Sequence, residues 1–180
     1  MFKLSDFSLI VFDFDGVFTD NLVVVDENGK ESVTCSRADG LGIAMLKKAI
    51  SKQGLDIKLL VVSTEVNPVV AKRCQKLGLE FAQGIENKKD FLAARLSKLS
   101  TNTDSHWDKV LYLGNDLNDL EVMSACASFA PKDAHPIILK VANLVFEERG
   151  GHGFVRAAVE CLLEIDIIAP EELSELILNR

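Results

Sequence analysis

The sequence predicts an α/β protein with a Rossmann-like parallel sheet and helices on both faces. Four apolar runs of strand length lie at residues 8–15, 57–63, 109–114 and 127–131. Segments with the apolar spacing of amphipathic helices alternate with them, at residues 40–54, 66–78, 88–99 and 116–127. Strands that alternate with helices form parallel sheets that are buried on both faces, so this order predicts the fold class.

One insertion interrupts the alternation directly after the first strand. Residues 21–35 contain two short strand-like runs around Asn28-Gly29, which predicts a β-hairpin flap. No other insertion is long enough for a second domain, so we expect residues 1–180 to form a single domain without a separate cap. The loosest connection is the polar segment 97–108. The tail, 165–180, is typical of a short proline-broken helix that either docks on the domain or contacts another subunit.

Composition limits the class of partner. The chain has 180 residues, 48% hydrophobic and 26% charged, with a net charge of −7, which is typical of a soluble globular protein. We therefore expect no nucleic-acid partner and no membrane partner. The four cysteines are widely spaced without a CxxC pair, and no signal peptide or spanning segment is evident. These features favour reduced thiols and a cytoplasmic location.

The first strand ends on two carboxylates, in the run LIVFDFDGVFTD (9–20). Along a strand alternate side chains share a face, so Asp13 and Asp15 should point the same way into the crevice at the end of a parallel strand. Two such carboxylates repel each other unless a proton or a cation lies between them, and Mg²⁺ is suitable. A chance pair in a turn is the simplest alternative. An EF-hand calcium loop fits poorly, because Phe18 and Val24 stand where it needs glycine and glutamate.

Four motifs together resemble those of the haloacid dehalogenase superfamily of phosphohydrolases. They follow in the order expected for that family, as DFDGVFTD (13–20), LLVVST (59–64), QGIENKKD (83–90) and YLGNDLND (112–119). The hairpin, SRADGLGI (36–43), QGIENK and ERGGHGFVR (148–156) resemble the small cap-less branch, and this resemblance covers nearly the whole chain. That branch contains octulosonate 8-phosphate phosphatases, nonulosonate 9-phosphate phosphatases and a domain of some CMP-sialic acid synthetases.

The resemblance implies a Mg²⁺-dependent hydrolase that removes the terminal phosphate of a 2-keto-3-deoxy sugar acid. Asp13 would be the nucleophile that becomes an aspartyl phosphate, and Asp15 the general acid and base. Ser63 would donate a hydrogen bond to a phosphoryl oxygen; a lone serine at a strand end is more often a helix cap, but the order of the motifs favours the functional role. The QGxxNK spacing selects Lys88 over Lys89 as the stabilising lysine.

The fourth motif departs from the family pattern, because Asn115 stands where the family has an aspartate. The resemblance gives Asp13, Asp15 and Asn115 as metal ligands, Asp116 as an alternative ligand and Asp119 as a supporting residue. Asp116 and Asp119 could also simply favour a helix N-terminus. A neutral ligand weakens metal affinity, so a catalytically weakened partner module of a CMP-sialic acid synthetase pathway is the alternative function.

Further residues resemble the family's substrate contacts. The candidates for phosphate or substrate binding are Gly16, Arg37, Thr64, Glu65, Arg73 and Lys76. Octulosonate phosphatases tend to have Thr-Gly-Arg where this chain has Ser63-Thr64-Glu65, which favours a nine-carbon acid. Arg73 and Lys76 share a helix face, which could also be only a solvated basic face. The resemblance also implies a homotetramer in which a neighbouring subunit closes each site. His152 has no assigned role.

Overall fold

The computed structural model describes residues 2–99 and 106–178. Its strands are β1 (Leu9–Phe12), β2 (Val24–Val25), β3 (Glu31–Ser32), β4 (Lys58–Val62), β5 (Glu80–Ala82), β6 (Val110–Leu113), β7 (Ala127–Pro131) and β8 (Leu144–Phe146). Six of them form a sheet in the order β5-β4-β1-β6-β7-β8, and every neighbouring pair in it is parallel. The predicted fold class is confirmed.

Helices cover both faces of this sheet. They are α1 (Arg37–Lys52), α2 (Pro68–Leu77), α3 (Lys88–Leu99), α4 (Leu120–Met123), α5 (Pro136–Val141), α6 (Phe154–Leu162) and α7 (Pro170–Leu178). Alternate residues of β1 belong to two different apolar layers. Ile10 and Phe12 pack in the layer of α1, α2 and α6. Leu9 and Val11 pack in the layer of α3, α4 and α5.

The strand β1 is shorter than the sequence predicts and ends at Phe12 rather than at residue 15. The chain turns at once, because the Phe14 amide donates to Asp13 Oδ1 at 2.7 Å and the Phe18 amide donates to the Phe14 carbonyl at 2.8 Å. Gly16 has φ +79°, which a glycine adopts without strain. Asp13 and Asp15 line the same cavity, as expected, but a turn rather than strand alternation places the second carboxylate.

Other predicted boundaries vary in accuracy. The bounds of α3 and β7 agree with the sequence prediction. The helix α1 begins three residues early, because the Ser36 hydroxyl accepts from the Ala38 amide at 3.1 Å and caps it. The predicted helix 116–127 is instead a 3₁₀ turn, Leu117–Asp119, followed by the short helix α4. The elements β5, α5, β8 and α6 were not assigned from sequence.

The predicted hairpin flap projects between β1 and α1. Its strands β2 and β3 pair antiparallel, Val24 with Ser32 and Val25 with Glu31, and a bridge between Thr19 and Cys35 forms its base. Its first strand and the residues before it expose large apolar side chains: Leu22, Val23, Val24 and Val25 are 52–68% exposed. An apolar surface of this kind is typical of an interaction site.

The tail docks on the domain in this structure. Leu176 of α7 is buried in the same apolar layer as α1, α2 and α6. Lys52 of α1 forms an ion pair with Glu175 of α7 at 2.5 Å. A contact between this tail and another subunit stays a prediction. Residues 100–105 of the polar connection and residues 179–180 of the tail lie outside the described residues.

The four cysteines are free thiols. Burial raises the pKa of each, to about 12 for Cys74 and Cys126, so these thiols resist ionisation. Among the described helices, none combines the length and the apolar character that crossing a membrane requires.

Candidate active site

The carboxyl ends of β4, β1 and β6 meet at one edge of the sheet. Phe12 pairs with Val61 of β4 and with Leu113 of β6, so the residues that follow these strands lie side by side. They are Asp13, Ser63 and Asn115. A cavity of about 450 Å³ opens above them. Its lining consists of Asp13, Asp15, Asn21, Val23, Glu31, Val33, Ser63, Thr64, Glu65, Asn67, Val69, Val70, Asn115, Asp116 and Asn118.

Asp13 lies at the floor of this cavity and is only 4% exposed. Its Oδ1 atom is 2.8 Å from Lys88 Nζ and accepts the Phe14 amide at 2.7 Å. No hydrogen bond from a described residue reaches Oδ2. The arrangement leaves one oxygen of a fixed carboxylate available to a ligand.

Lys88 lies beneath the cavity, since its side chain is fully buried. Its ammonium also donates to Asp119 Oδ1 at 2.7 Å. Asp119 accepts on Oδ1 from the Tyr112 hydroxyl at 2.7 Å and on Oδ2 from the backbone amide of Asn115 at 2.9 Å. Asp119 is 0% exposed. Because its oxygens are occupied, this carboxylate holds Lys88 and the start of the fourth motif in place.

Two buried carboxylates thus share one buried ammonium. Burial, and then the charge of Asp119, raise the pKa of Asp13 to about 8 despite the opposing effect of Lys88. Burial lowers the pKa of Lys88, but the two carboxylates outweigh it, so that pKa is raised overall. The trio carries an excess negative charge when both acids are ionised, and a further cation would compensate it.

Asp15 lies in the turn after β1, and its Oδ1 accepts a hydrogen bond of 3.0 Å from the Thr19 hydroxyl. Burial raises the pKa of Asp15, and the hydrogen bond from Thr19 opposes that shift. A carboxyl with a raised pKa beside a cavity is suited to proton transfer.

Ser63 is 1% exposed, and its Oγ accepts the Glu65 amide at 3.0 Å. A helix cap and donation to a phosphoryl oxygen are the two alternatives for this serine. It does not cap α2, because the N-cap of that helix is Asn67, whose side chain accepts from the Val69 amide. Donation to a ligand stays a prediction, and the geometry is compatible with it, because a hydroxyl that accepts a hydrogen bond still has its proton to donate.

Asn115 has the environment of a metal ligand. It is 6% exposed, and its Oδ1 is buried without a hydrogen-bond partner. Such an orphaned acceptor beside the carboxylates of Asp13 and Asp15 suits a hard cation, which prefers oxygen ligands. Asp116 also lines the cavity, with its Oδ1 accepting the Leu117 amide at 2.7 Å. In the part of the chain that the structure describes, no three Asp, Glu, His or Cys side chains form a metal cluster.

The other candidates divide into two groups. Thr64 and Glu65 line the cavity, and Gly16 packs beneath it against Asn115. Arg37, Arg73 and Lys76 are not among the lining residues. Arg73 donates to the Ser36 carbonyl at 2.8 Å, with its Nε buried and unpaired. Lys76 lines a separate groove between α1, α2 and α7. Their roles as substrate ligands stay predictions.

Sequence reasoning missed several residues of the site. In the sequence Tyr112 is one more apolar residue of a predicted strand. Only the structure shows that its hydroxyl donates a hydrogen bond to Asp119. The flap contributes Asn21, Val23 and Glu31 to the cavity wall. The hairpin pattern predicted the flap but contained no signal for the direction in which it folds.

The cavity wall is strongly acidic. Its charged members are Asp13, Asp15, Glu31, Glu65 and Asp116, and no arginine, lysine or histidine lies among the described lining residues. An anionic ligand therefore requires positive charge from outside this wall.

The raised pKa of Asp13 predicts the pH dependence of stability in metal-free protein. Asp13 has an ordinary value of 3.8, which rises to about 8 in the folded state. Between these values the folded state holds a proton that the unfolded state has lost, so stability falls as pH rises. From pH 5 to 8 the free energy of unfolding should fall by up to about 4 kcal/mol, at about 1.4 kcal/mol per pH unit.

Urea unfolding in EDTA at several pH values measures this slope. Asp13→Asn should reduce it, because the amide does not titrate, and the raised pKa values of Asp15 and Asp39 should leave a smaller slope of the same sign. Lys88 does not contribute in this range, since its pKa is raised from 10.5. Added Mg²⁺ should reverse the slope, because the cation binds the ionised carboxylate. A metal-free stability that rises between pH 5 and 8 would contradict the assignment.

Comparison with known proteins identifies the family. No protein-family model matches the chain. The 3-deoxy-D-manno-octulosonate 8-phosphate phosphatase KdsC of Escherichia coli (strain B / BL21-DE3) is 33% identical over 165 residues, which cover 91% of this chain and 82% of that protein.

Solved structures agree with this relative. A structure from Streptomyces avermitilis MA-4680, assigned to the HAD family of hydrolases, is 34% identical with a TM-score of 0.80, and the match covers 92% of this chain and 96% of that one. The cobalt-bound deoxy-D-mannose-octulosonate 8-phosphate phosphatase of Haemophilus influenzae is 31% identical with a TM-score of 0.75, covering 89% and 90% of the two chains. The chain therefore belongs to the haloacid dehalogenase superfamily of phosphoric monoester hydrolases, in the branch of the 3-deoxy-D-manno-octulosonate 8-phosphate phosphatases.

Proposed function

We propose that this protein is a Mg²⁺-dependent phosphatase that removes the terminal phosphate of a 2-keto-3-deoxy sugar acid through an aspartyl phosphate on Asp13. The observation that carries the proposal is the buried Asp13 carboxylate at the cavity floor, ion-paired with Lys88 at 2.8 Å. Lys88 and the Phe14 amide hold Oδ1, so the carboxylate is fixed in place for its attack on phosphorus. The Asp13–phosphate bond forms as the bond from phosphorus to the sugar oxygen breaks.

Asp15 completes the proton balance of both steps. Its carboxyl gives a proton to the departing sugar oxygen, and its carboxylate then takes one from the water that attacks the aspartyl phosphate. Ser63 donates its free hydroxyl proton to a phosphoryl oxygen. Lys88 acts through Asp13, because its ammonium is buried between Asp13 and Asp119.

The metal would be held by Asp13, the backbone carbonyl of Asp15 and the orphaned Asn115 Oδ1, with Asp116 as the alternative ligand. Bound Mg²⁺ would supply positive charge against the phosphoryl oxygens. The acidic cavity wall supports a cation here, and so does the cobalt in the Haemophilus influenzae relative.

Two observations bear on the length of the sugar. The E. coli relative acts on an eight-carbon acid, as its name says. In this chain, however, Glu65 lines the cavity where the octulosonate members tend to have arginine. A carboxylate repels an acid group and accepts hydrogen bonds from hydroxyls, which suits the longer polyol chain of a nonulosonate. We therefore propose a nonulosonate 9-phosphate as the preferred substrate and octulosonate 8-phosphate as the next.

Phosphate release from a panel of sugar phosphates tests the activity and the substrate together. With Mg²⁺, we expect the highest kcat/KM on a nonulosonate 9-phosphate, less on octulosonate 8-phosphate and little on hexose phosphates. Asp13→Asn should reduce kcat by at least about 10⁴-fold, because the nucleophile is lost. Asn21→Asp, at another lining position, is the matched control and should keep measurable activity. Activity that persists in Asp13→Asn would refute the assignment.

The site is incomplete within one chain, and we propose that a homotetramer completes it. The cavity wall has no cationic side chain among its described residues. Beside it, the exposed residues Leu22–Val25 of the flap and Val66, which precedes α2, form an apolar rim. Burial of this rim against a second copy would exclude water and close the cavity. Arg73 and Lys76, which do not reach their own cavity, would then serve a neighbour's cavity and meet the sugar carboxylate.

Mixed oligomers test this sharing of residues. Asp13→Asn lacks its own nucleophile, and Arg73→Ala should lose at least about tenfold in kcat/KM. If Arg73 acts across the interface, co-refolded mixtures should regain activity, because some cavities combine an intact Asp13 with a neighbour's Arg73. A mixture of Asp13→Asn with Ser63→Ala should not, since both residues line the same cavity. Activity equal to the average of the two separate variants would refute the sharing.

The second candidate function, a weakened partner module, rests on the neutral Asn115. Asn115→Asp adds a negative ligand and should tighten Mg²⁺ at least about tenfold by calorimetry. If the natural protein is an enzyme, its activity should already saturate at millimolar Mg²⁺. If instead only Asn115→Asp hydrolyses any sugar phosphate, the chain works as a partner module and the phosphatase proposal fails.

A further inference from the structure

Thr19 has a buried hydroxyl at the centre of the turn that carries Asp15. The residue is 0% exposed. Its Oγ1 accepts two backbone amides, from Gly16 at 3.2 Å and from Asn21 at 3.2 Å, and donates to Asp15 Oδ1 at 3.0 Å. A hydroxyl has one proton and two lone pairs. Because two amides occupy the lone pairs, the proton can point only to Asp15.

The hydrogen bond from Thr19 determines which oxygen of Asp15 is available for proton transfer. Oδ1 is fixed as an acceptor, and no hydrogen bond from a described residue reaches Oδ2. A protonated Asp15 therefore carries its proton on Oδ2, at the cavity. Rotation of the carboxyl would break the bond from a buried donor that has no other acceptor, which is costly.

Gly150 and Gly151 pack directly against the backbone of the turn that carries Asp15. The Gly151 amide donates to the Val17 carbonyl at 3.0 Å. A Cβ at Gly150 would lie 2.0 Å from the Gly16 carbonyl oxygen, and one at Gly151, where φ is +68°, would lie 2.4 Å from the Thr19 carbonyl carbon. The Gly150 amide is itself anchored on Asp133 Oδ1 at 3.0 Å. This glycine-rich loop supports the turn, and it does so through backbone contact that any side chain would prevent.

We propose that Thr19 is the positioning residue for proton transfer by Asp15, with Gly150 and Gly151 holding it in place. The inference rests on the proposed function, because it assumes that Asp15 is the acid and base. In the first step the Asp15 Oδ2–H bond breaks, and its proton goes to the sugar oxygen as that oxygen leaves phosphorus. In the second step Oδ2 takes a proton from water as the water oxygen bonds to phosphorus and Asp13 leaves.

The leaving group distinguishes positioning from mere support of the turn. A sugar alkoxide needs a proton to depart, whereas p-nitrophenolate does not. Loss of a positioned acid therefore lowers kcat/KM, which reports phosphoryl transfer to Asp13, for the sugar phosphate only. A disordered turn would misplace Asp13 and Ser63 as well and would lower both values alike.

The experiment compares kcat/KM of Thr19→Val on a sugar-acid phosphate and on p-nitrophenyl phosphate. We expect a loss of roughly 100-fold on the first and of under about threefold on the second. The aryl substrate should also give a burst of nitrophenolate, since hydrolysis of the aspartyl phosphate still needs Asp15 as a base. Thr19→Ser, which keeps the hydroxyl, should restore most of the sugar-phosphate activity.

Controls separate the possible failures. Asp15→Asn should reproduce the same selectivity, and Ser97→Ala, at an exposed hydroxyl of α3 outside the cavity lining, should change neither substrate. If Thr19→Val does not fold, as judged by circular dichroism, Thr19→Ala takes its place. Equal losses on both substrates, or no loss, would overturn the positioning role. A natural enzyme whose hydrolysis does not depend on Asp13 would overturn the proposed function instead.

Discussion

The site depends on one buried ammonium that pairs with two buried carboxylates and neutralises only one of their charges. Lys88 contacts Asp13 at 2.8 Å and Asp119 at 2.7 Å, and none of the three groups is more than slightly exposed. Removing the ammonium would leave two uncompensated buried charges, which typically costs 3–5 kcal/mol or more. The negative charge that remains when both acids ionise is the physical reason to propose a cation above Asp13. The same excess explains why metal, pH and stability should be linked in this protein.

The fold positions this trio from three separate segments. Asp13 follows the central strand β1, Lys88 is the first residue of α3, and Asp119 ends the 3₁₀ turn after β6. Asp119 also accepts a hydrogen bond of 2.9 Å from the backbone amide of Asn115, so one carboxylate positions both Lys88 and the candidate metal ligand. On the other side, Thr19 and the glycine-rich loop hold Asp15. Two independent supports thus converge on the cavity, one for the proposed nucleophile and one for the proposed proton donor.

Local patterns allowed the sheet and most of its strand-end residues to be predicted. Apolar runs located β1, β4, β6 and β7, and the polar residues after them mark the site. The strands β5 and β8 have three residues each, too few for a periodic signal. Partners that depend on tertiary packing gave no signal, as for the Tyr112 bond to Asp119 and the Thr19 bond to Asp15. The helix spacing grouped Arg73 with Lys76 correctly on one element but could not show that they lie outside the cavity of their own chain.

The most direct measurement is to locate the phosphoryl group during turnover. The Asp15→Asn variant lacks the proposed base for the second step, so it should accumulate the intermediate from p-nitrophenyl phosphate with Mg²⁺. Rapid acid quench, proteolysis and mass spectrometry would then find one phosphoryl group on the peptide that contains Asp13, and none after Asp13→Asn is added. A phosphoryl group on another residue, or steady turnover without any phosphorylated peptide, would contradict the account.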